Sequence, residues 1–210
     1  MTEMTLAQGA HVEAAHDAHA PSREQIYNSK LAMWLYLASE VIIFTVLIAA
    51  YAVFRFNNPE IVKGIHEELG IALVTFNTFL LLASSWAMVM GLREAQKDNP
   101  QGLVRWISLT ALMGTAFVAL QVVEYNELAR LGITLQDFEA FGGFGMRFYA
   151  PTAFHGAHVI VGILWALRVI NRGWRGIYNS RNYLAVEIFG LYWHFVDVVW
   201  IFLFTIIYLI

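Results

Sequence analysis

The chain alternates between long apolar segments and short polar connectors. Five segments with few charged side chains lie at about residues 31–54, 70–92, 103–125, 149–170 and 184–209. Each is close to the roughly 20 residues that cross a bilayer as a helix. The stretch VIIFTVLIAAYAVF lacks the strict alternation typical of a membrane barrel strand. The pattern therefore predicts an all-α membrane domain, a bundle of five transmembrane helices over residues 31–210.

The connectors contain proline or glycine, which end helices, and they differ in positive charge. The N-terminal region, the second connector with the adjacent Arg105, and the fourth connector carry nine of the thirteen Lys and Arg residues. Positive connectors stay preferentially on the cytoplasmic side of a membrane. We therefore expect a cytoplasmic N-terminus and, after five crossings, a C-terminus on the outer, periplasmic side.

Residues 1–30 form a polar N-terminal stretch, which we expect to be a mobile tail. It lacks the positive start and the apolar run of a secretory signal. His11, His16 and His19 lie among Ala, Glu and Asp, a composition that cannot build a packed core. Solvation of these histidines is the favoured interpretation, and loose metal binding is the alternative.

Composition excludes several classes of protein. Hydrophobic residues make up 59% of the chain and charged residues only 14%, against about 25% charged in soluble domains, so a soluble enzyme is disfavoured. A net charge of −3 without a basic stretch disfavours nucleic acid as a partner. Because the chain has no cysteine, it has no disulfide, thiolate metal site or iron–sulfur cluster.

Six ionisable side chains lie inside the predicted spans, where each is costly unless it has a partner or a function. The helical rise places two of them, from the first and fifth spans, at a similar depth, and two others near the outer side. Pairs spaced three residues apart share a helix face, which should point into protein. In chain order the six are Glu40, Glu124, His155, His158, His194 and Asp197, with Glu40 and His194 at the shared depth and Glu124 and His155 in the outer part.

Three uses of these groups remain open from the residues alone. The favoured one is hydrogen bonding between helices, because lipid provides no hydrophobic force to hold helices together. A proton relay through the carboxylates is the second. The third is a cofactor: a b-type haem held by His155 and His194, or a metal ion at His155 and His158.

Small and aromatic residues complete the predicted packing. Alanine pairs four apart, Ala83 with Ala87 and Ala153 with Ala157, have the spacing of close helix approach. Aromatic side chains near the segment ends are expected to lie at the membrane interface: Trp34, Trp106, Trp174 and Tyr208. Polar residues expected to bond between helices are Asn77, Ser84, Ser85 and Gln121.

Five strings resemble one protein family, in that family's order and spacing. They are MWLYLASEVIIF at 33–44, NTFLLLASS at 77–85, LQVVEY at 120–125, FHGAHVIVG at 154–162 and YWHFVDVVWIFLFTIIYLI at 192–210. The chain from about residue 30 onward resembles subunit III of the haem-copper terminal oxidases. Larger members have seven membrane helices, and this chain resembles their last five.

The resemblance implies an accessory subunit without redox centres of its own, in the inner membrane of a bacterium. Haems and copper are expected in partner subunits, with subunit I as the main contact and subunit II and a small subunit IV as further partners. The implied role is to stabilise subunit I and support its proton uptake. Glu40 matches the family's carbodiimide-reactive glutamate, but apolar neighbours argue against a proton channel there.

The resemblance also implies expectations about bound lipid and about the electron donor. Bound phospholipid is expected, with Arg168 and Arg172 as contacts for its headgroup. Cytochrome c is the expected donor, and a quinol oxidase is the alternative. Membership of a larger respiratory supercomplex is left open. A free-standing proton-coupled transporter is a more remote alternative.

Overall fold

A computed structural model of the chain describes residues 22–68, 70–134 and 140–210. The predicted tail lies largely outside this part, including the three histidines at 11, 16 and 19. The described residues are helical and contain no strand, apart from an isolated bridge between Asn179 and Asn182. The helices are α1 (Arg23–Asn57), α2 (Pro59–Glu68), α3 (Ile71–Gln96), α4 (Pro100–Arg130), α5 (Phe144–Trp174) and α6 (Leu184–Phe204).

Five of these helices are long and apolar enough to cross a membrane, namely α1 and α3 to α6. A short 3₁₀ turn, Ala140–Gly143, precedes α5, and a π-helical turn, Thr205–Leu209, continues α6. The prediction of an all-α protein with five spans is confirmed. The protein is thus a multi-pass membrane protein.

Helix α1 runs beyond its predicted apolar segment because a capping group extends it. The predicted start of the first helix at residue 31 was wrong, since α1 begins at Arg23. Ser22 Oγ accepts a hydrogen bond from the Gln25 N–H (3.2 Å), and Gln25 Oε1 accepts one from the Ser22 N–H (2.9 Å). This reciprocal capping box supplies partners for backbone donors that a helix start leaves open.

The connector between the first two spans has a helix of its own that the sequence pattern did not predict. Helix α2 begins at Pro59, directly after α1 ends at Asn57. Proline suits the first position of a helix because its fixed φ is already helical and its missing N–H is not needed there. Val62 and Ile65 are buried in the core.

Helices α3, α4, α5 and α6 form a bundle, and α1 packs against α5 and α6. At one end, Lys30 Nζ donates to Glu187 Oε1 (2.6 Å), which joins the first part of α1 to the start of α6. At the other end, Arg55 Nη1 donates to the Ile206 carbonyl (3.3 Å). First and last spans are therefore bonded to each other at both ends of the bundle.

Trp193 of α6 fills the centre of the bundle. Its indole is fully buried, and its Nε1–H donates to Ser84 Oγ of α3 (2.9 Å). A Cβ placed on Gly114 of α4 would lie 2.7 Å from the ring, and one on Gly162 of α5 only 2.6 Å from it. Only glycine at both positions allows the ring to enter without displacing a helix.

Two packing predictions were wrong. Ala153 and Ala157 are exposed on the outer face of α5, because the close approaches of this helix involve Gly162 and Gly173. Tyr208, in the π-helical turn, is 1% exposed and packs against Trp200 and Phe204. Trp34 and Trp174 are exposed, as expected for residues at a membrane interface.

Candidate functional site

The ionisable side chains inside the spans form three separate clusters and one isolated histidine. The first cluster joins α1 to α5. Glu40 Oε2 lies 3.4 Å from His158 Nε2, at ion-pair distance, and both residues are 8% exposed. Phe44 packs edge-on against the same imidazole, with ring centroids 5.4 Å apart. The pair is therefore enclosed by protein, as predicted for groups facing away from lipid.

The position of one hydrogen in this cluster follows from chemistry. His158 Nδ1 lies 2.9 Å from the Phe154 carbonyl oxygen. Because a carbonyl can only accept, Nδ1 carries the hydrogen of that bond. The other ring nitrogen, Nε2, is the one that faces the Glu40 carboxyl.

The second cluster joins α3 to α6. The Ser85 hydroxyl and His194 Nδ1 are hydrogen-bonded. Asp197 lies one turn further along α6 and is 3% exposed. Its carboxyl oxygens have no hydrogen-bond partner among the described residues, although the Ser85 hydroxyl lies beside them. Glu40 and His194 therefore have different partners, His158 and Ser85, despite the similar depth expected for them.

The third cluster lies where α4 approaches the end of the chain. Gln121 Nε2 donates to Glu124 Oε2 (2.6 Å), and both side chains are 4% exposed. The buried Tyr208 hydroxyl is next to the Glu124 carboxyl. Nearby, the Tyr125 hydroxyl donates to Thr152 Oγ1 (2.9 Å) and joins α4 to α5.

His155 does not join Glu124 in a polar cluster, contrary to the possibility that their similar depth raised. Its imidazole is fully buried and stacks on Trp200, with ring centroids 4.8 Å apart. Phe117 packs edge-on against it at 5.7 Å. Neither ring nitrogen has a hydrogen-bond partner in the described part of the chain. Aromatic packing thus accounts for its position.

Polar groups also link the loops at one end of the bundle, outside the spans. Asp98, between α3 and α4, accepts a hydrogen bond from the Ser180 N–H in the loop before α6 (2.7 Å). This bond lowers the pKa of the Asp98 carboxyl below its usual value. Burial raises the pKa of the Tyr178 phenol in the same region. Two loops that are far apart in sequence are therefore fixed to each other.

The two arginines expected to meet lipid headgroups lie at this end, in the last turns of α5. Arg168 is exposed, and Arg172 is partly buried with its guanidinium 5.7 Å from the centroid of the Tyr178 ring. Their role in lipid binding stays a prediction. Over residues 22–68, 70–134 and 140–210, no three His, Asp or Glu side chains are grouped so that they could hold a metal ion.

The comparison with known families decides the assignment. The family model described as cytochrome c oxidase subunit III matches residues 7–210. The chain belongs to this family. The resemblance found in the five sequence strings is therefore confirmed, and the match reaches into the N-terminal region that the strings did not cover.

Relatives within the subunit III family are named for oxidases with different electron donors. Cytochrome c oxidase subunit 3 of Thermostichus vulcanus is 37% identical over 195 residues, 86% of each chain. That of Bacillus sp. (strain PS3) is 31% identical over 193 residues, 90% of this chain and 91% of the relative. The probable quinol oxidase subunit 3 of Staphylococcus saprophyticus is 32% identical over 200 residues, 93% of this chain and 96% of the relative.

Several contacts of this subunit III were not found by sequence reasoning. Ser84 and Asn77 were expected to bond between helices, but their partners were not: Trp193 Nε1–H for Ser84, and the Phe117 carbonyl (3.2 Å) for Asn77. Trp200 Nε1–H also donates to Thr78 Oγ1 of α3 (2.9 Å). The sequence feature that could have indicated these bonds is the pair of tryptophans on one apolar helix, since a buried indole N–H needs an acceptor.

Proposed function

We propose that this chain is the accessory subunit III of a bacterial haem-copper respiratory oxidase that reduces oxygen to water, and that it stabilises subunit I and supports its proton uptake. The observation that carries the proposal is the use of titratable groups inside the spans. Glu40 with His158 and His194 with Ser85 each join two helices of the same chain. Such contacts suit a rigid helical support beside a catalytic subunit.

In this proposal the haems and copper belong to partner subunits, with subunit I as the main contact and subunits II and IV as further neighbours. The complex resides in the inner membrane with the N-terminus of this chain in the cytoplasm. Phospholipid headgroups bind at Arg168 and Arg172. This chain itself contributes no reacting group.

Cytochrome c is the proposed electron donor. Relatives named cytochrome c oxidase subunit 3 reach 37% and 38% identity with this chain. A quinol oxidase is the second candidate, because relatives named for that activity cover the chain at 32% and 33% identity. Co-purifying chains distinguish the two: a subunit with a copper-binding cysteine cluster supports cytochrome c, and its absence from an active complex supports quinol.

The support role is tested by Glu40→Ala in the purified oxidase. We expect protons pumped per electron to stay near wild type in the first turnovers, and activity to decay faster during sustained turnover, because the α1–α5 contact is lost. Glu60→Ala, an exposed acid outside the spans, is the matched control. An assembled Glu40→Ala complex that pumps as if its proton channel were blocked would contradict the proposal.

A further inference from the structure

A cavity of about 370 Å³ lies at the end of α1, beside α2. Its wall is formed by the last turn of α1, by the first part of α2 and by the residue that follows the π-helical turn. Two positively charged side chains belong to this wall, and a phenylalanine lies beside them. The lining residues are Arg55, Phe56, Pro59, Val62, Lys63 and Ile210.

Arg55 is held in the wall of this cavity by neutral partners. Its Nη1 donates to the Ile206 carbonyl (3.3 Å), and its guanidinium lies beside the phenol of Tyr51. A guanidinium has five N–H donors, and a carbonyl oxygen carries no net charge. These contacts therefore orient the side chain, but they leave its positive charge without a counter-charge and further donors without an acceptor.

Lys63 brings a second cation to the same cavity. Burial of Val62 and Ile65 in the core holds α2 against the bundle, and Lys63 on this helix is exposed. In the part of the chain that the structure describes, neither Arg55 nor Lys63 forms an ion pair with an acid. Glu60 of α2 is exposed and does not line the cavity. Because the two cations repel each other, an anion between them would stabilise both.

The cavity lies at the level where α1 passes from hydrocarbon to lipid headgroups. Residues 41–54 carry no charged side chain, and at 1.5 Å per residue they extend over about 20 Å of the span. Arg55 is the first charged residue after them. Basic side chains at this level of a membrane attract anionic headgroups. Phe56, which is 84% exposed, adds an apolar surface next to the two cations, and a free inorganic anion would leave that surface uncovered.

We propose that this cavity binds the phosphate of an anionic phospholipid between Arg55 and Lys63, with Phe56 against the glycerol and the first acyl carbons. Arginine and lysine are both phosphate ligands in proteins. The volume of the cavity is in the range of small-molecule sites, about 300–1,000 Å³. The site lies at the opposite end of the bundle from Arg168 and Arg172, so its lipid belongs to the other leaflet. It requires a membrane but no partner subunit, and it therefore does not depend on the proposed function.

Photolabelling with a lipid analogue tests the site. The full chain, purified with any subunits that accompany it, is placed in phosphatidylcholine vesicles that contain a little phosphatidylglycerol with a diazirine at the start of one acyl chain. We expect labelling of the peptide around Phe56, and a several-fold lower yield in Lys63→Gln. Arg130→Gln is the matched control, because Arg130 is an exposed cation at the same end of the bundle but outside the cavity. It should be labelled like wild type.

Competition distinguishes a lipid from other ligands. Unlabelled phosphatidylglycerol should abolish the labelling, and inorganic phosphate at the same concentration should leave it unchanged. Displacement by phosphate would show a site for a free anion and would overturn the proposal. Equal labelling by a phosphatidylcholine analogue, equal labelling of wild type and Lys63→Gln, or no label near Phe56 would overturn it as well.

Folding of the variants is checked separately. Substitution of an exposed side chain usually changes stability little, so thermal unfolding of Lys63→Gln without phosphatidylglycerol should match that of wild type. With phosphatidylglycerol added, the melting temperature of wild type should rise more than that of Lys63→Gln, because a ligand stabilises the state that binds it. Equal rises in the two proteins would contradict the site.

Discussion

At the scale of single residues, two kinds of contact hold the spans together in this chain. Trp193 is surrounded by positions where only glycine fits, and its N–H is bonded to Ser84. Glu40 and His158 lie at ion-pair distance between α1 and α5. Both kinds join helices that are distant in sequence, so substitution should affect the association of helices more than the helices themselves.

Trp193→Leu should destabilise the isolated subunit strongly. Replacing a buried tryptophan by a smaller side chain leaves a cavity and costs on the order of 3 kcal/mol. Ser84→Ala should cost less, about 1–3 kcal/mol, because it leaves only a buried indole N–H without an acceptor. Thermal unfolding in detergent measures both. Trp174→Leu, at a site 74% exposed, is the control, and a similar loss there would show that the interior position of Trp193 is not the cause.

The contact between Glu40 and His158 predicts coupling between the two residues. In a double-mutant cycle with Glu40→Gln and His158→Gln, the two losses of stability should not add, with an interaction of about 0.5–3 kcal/mol. Urea unfolding of the isolated subunit gives the four stabilities. Glu40→Gln combined with Glu124→Gln is the matched comparison, because no contact joins that pair, and these two losses should add. Additive behaviour of the first pair would contradict the interpretation.

At the scale of elements, the loop before α4 and the loop before α6 act as one unit. The anionic form of Asp98 accepts the Ser180 N–H bond, and the pKa of Asp98 is lowered for that reason. A group with a lowered folded-state pKa stabilises the fold above its usual value and loses this contribution as pH falls through the lowered value. The link between the loops should therefore hold at neutral pH and weaken only in strong acid.

Amide hydrogen exchange at Ser180 checks this pH dependence. In wild type, protection should decrease as pH falls below the usual range of an aspartic acid, about 3.9. Asp98→Asn keeps a carbonyl acceptor and tolerates the positive φ of this position (59°), so its protection should not titrate in that range. The same acid-dependent loss in the Asn variant would assign the effect to another group.

The number and type of the spans could be predicted from the sequence, because a long apolar run without alternation crosses lipid as a helix. Helix ends could not, since the capping box at Ser22 extends α1 by two turns beyond its apolar part. Partners of the buried polar groups were also missed. The helical rise predicted the same membrane depth for Glu40 and His194. Contact between two side chains also requires that both helices are rotated to turn them toward each other. That rotation depends on glycines such as Gly162, which accept a large ring.

At the scale of the whole molecule, the bundle has one end rich in positive charge. This end holds the start of α1 and the loops before α4 and α6, where contacts such as Asp98 with Ser180 lie. The opposite end holds the C-terminus and the end of α1, joined by Arg55 and Ile206. This distribution of charge predicts which end faces the cytoplasm.

Single cysteines test the orientation without background, because the chain has no cysteine of its own. In inverted membrane vesicles, a maleimide that cannot cross membranes should label Gln101→Cys and Ser180→Cys but not Asn57→Cys. Cells with permeabilised outer membranes should show the reverse. The unmodified chain controls for labelling of other sites. Labelling of Asn57→Cys from the cytoplasmic side would invert the orientation.

The central position of Trp193 has a consequence for biosynthesis. The side chain that fills the space between Gly114 and Gly162 comes from α6, which is synthesised after the other four described spans. Until that span leaves the ribosome, the earlier helices have no native partner for Ser84 or for the glycine surfaces. We therefore expect the preceding spans to remain loosely packed in the membrane until α6 arrives, and a chain that stops after residue 190 to be degraded rather than assembled.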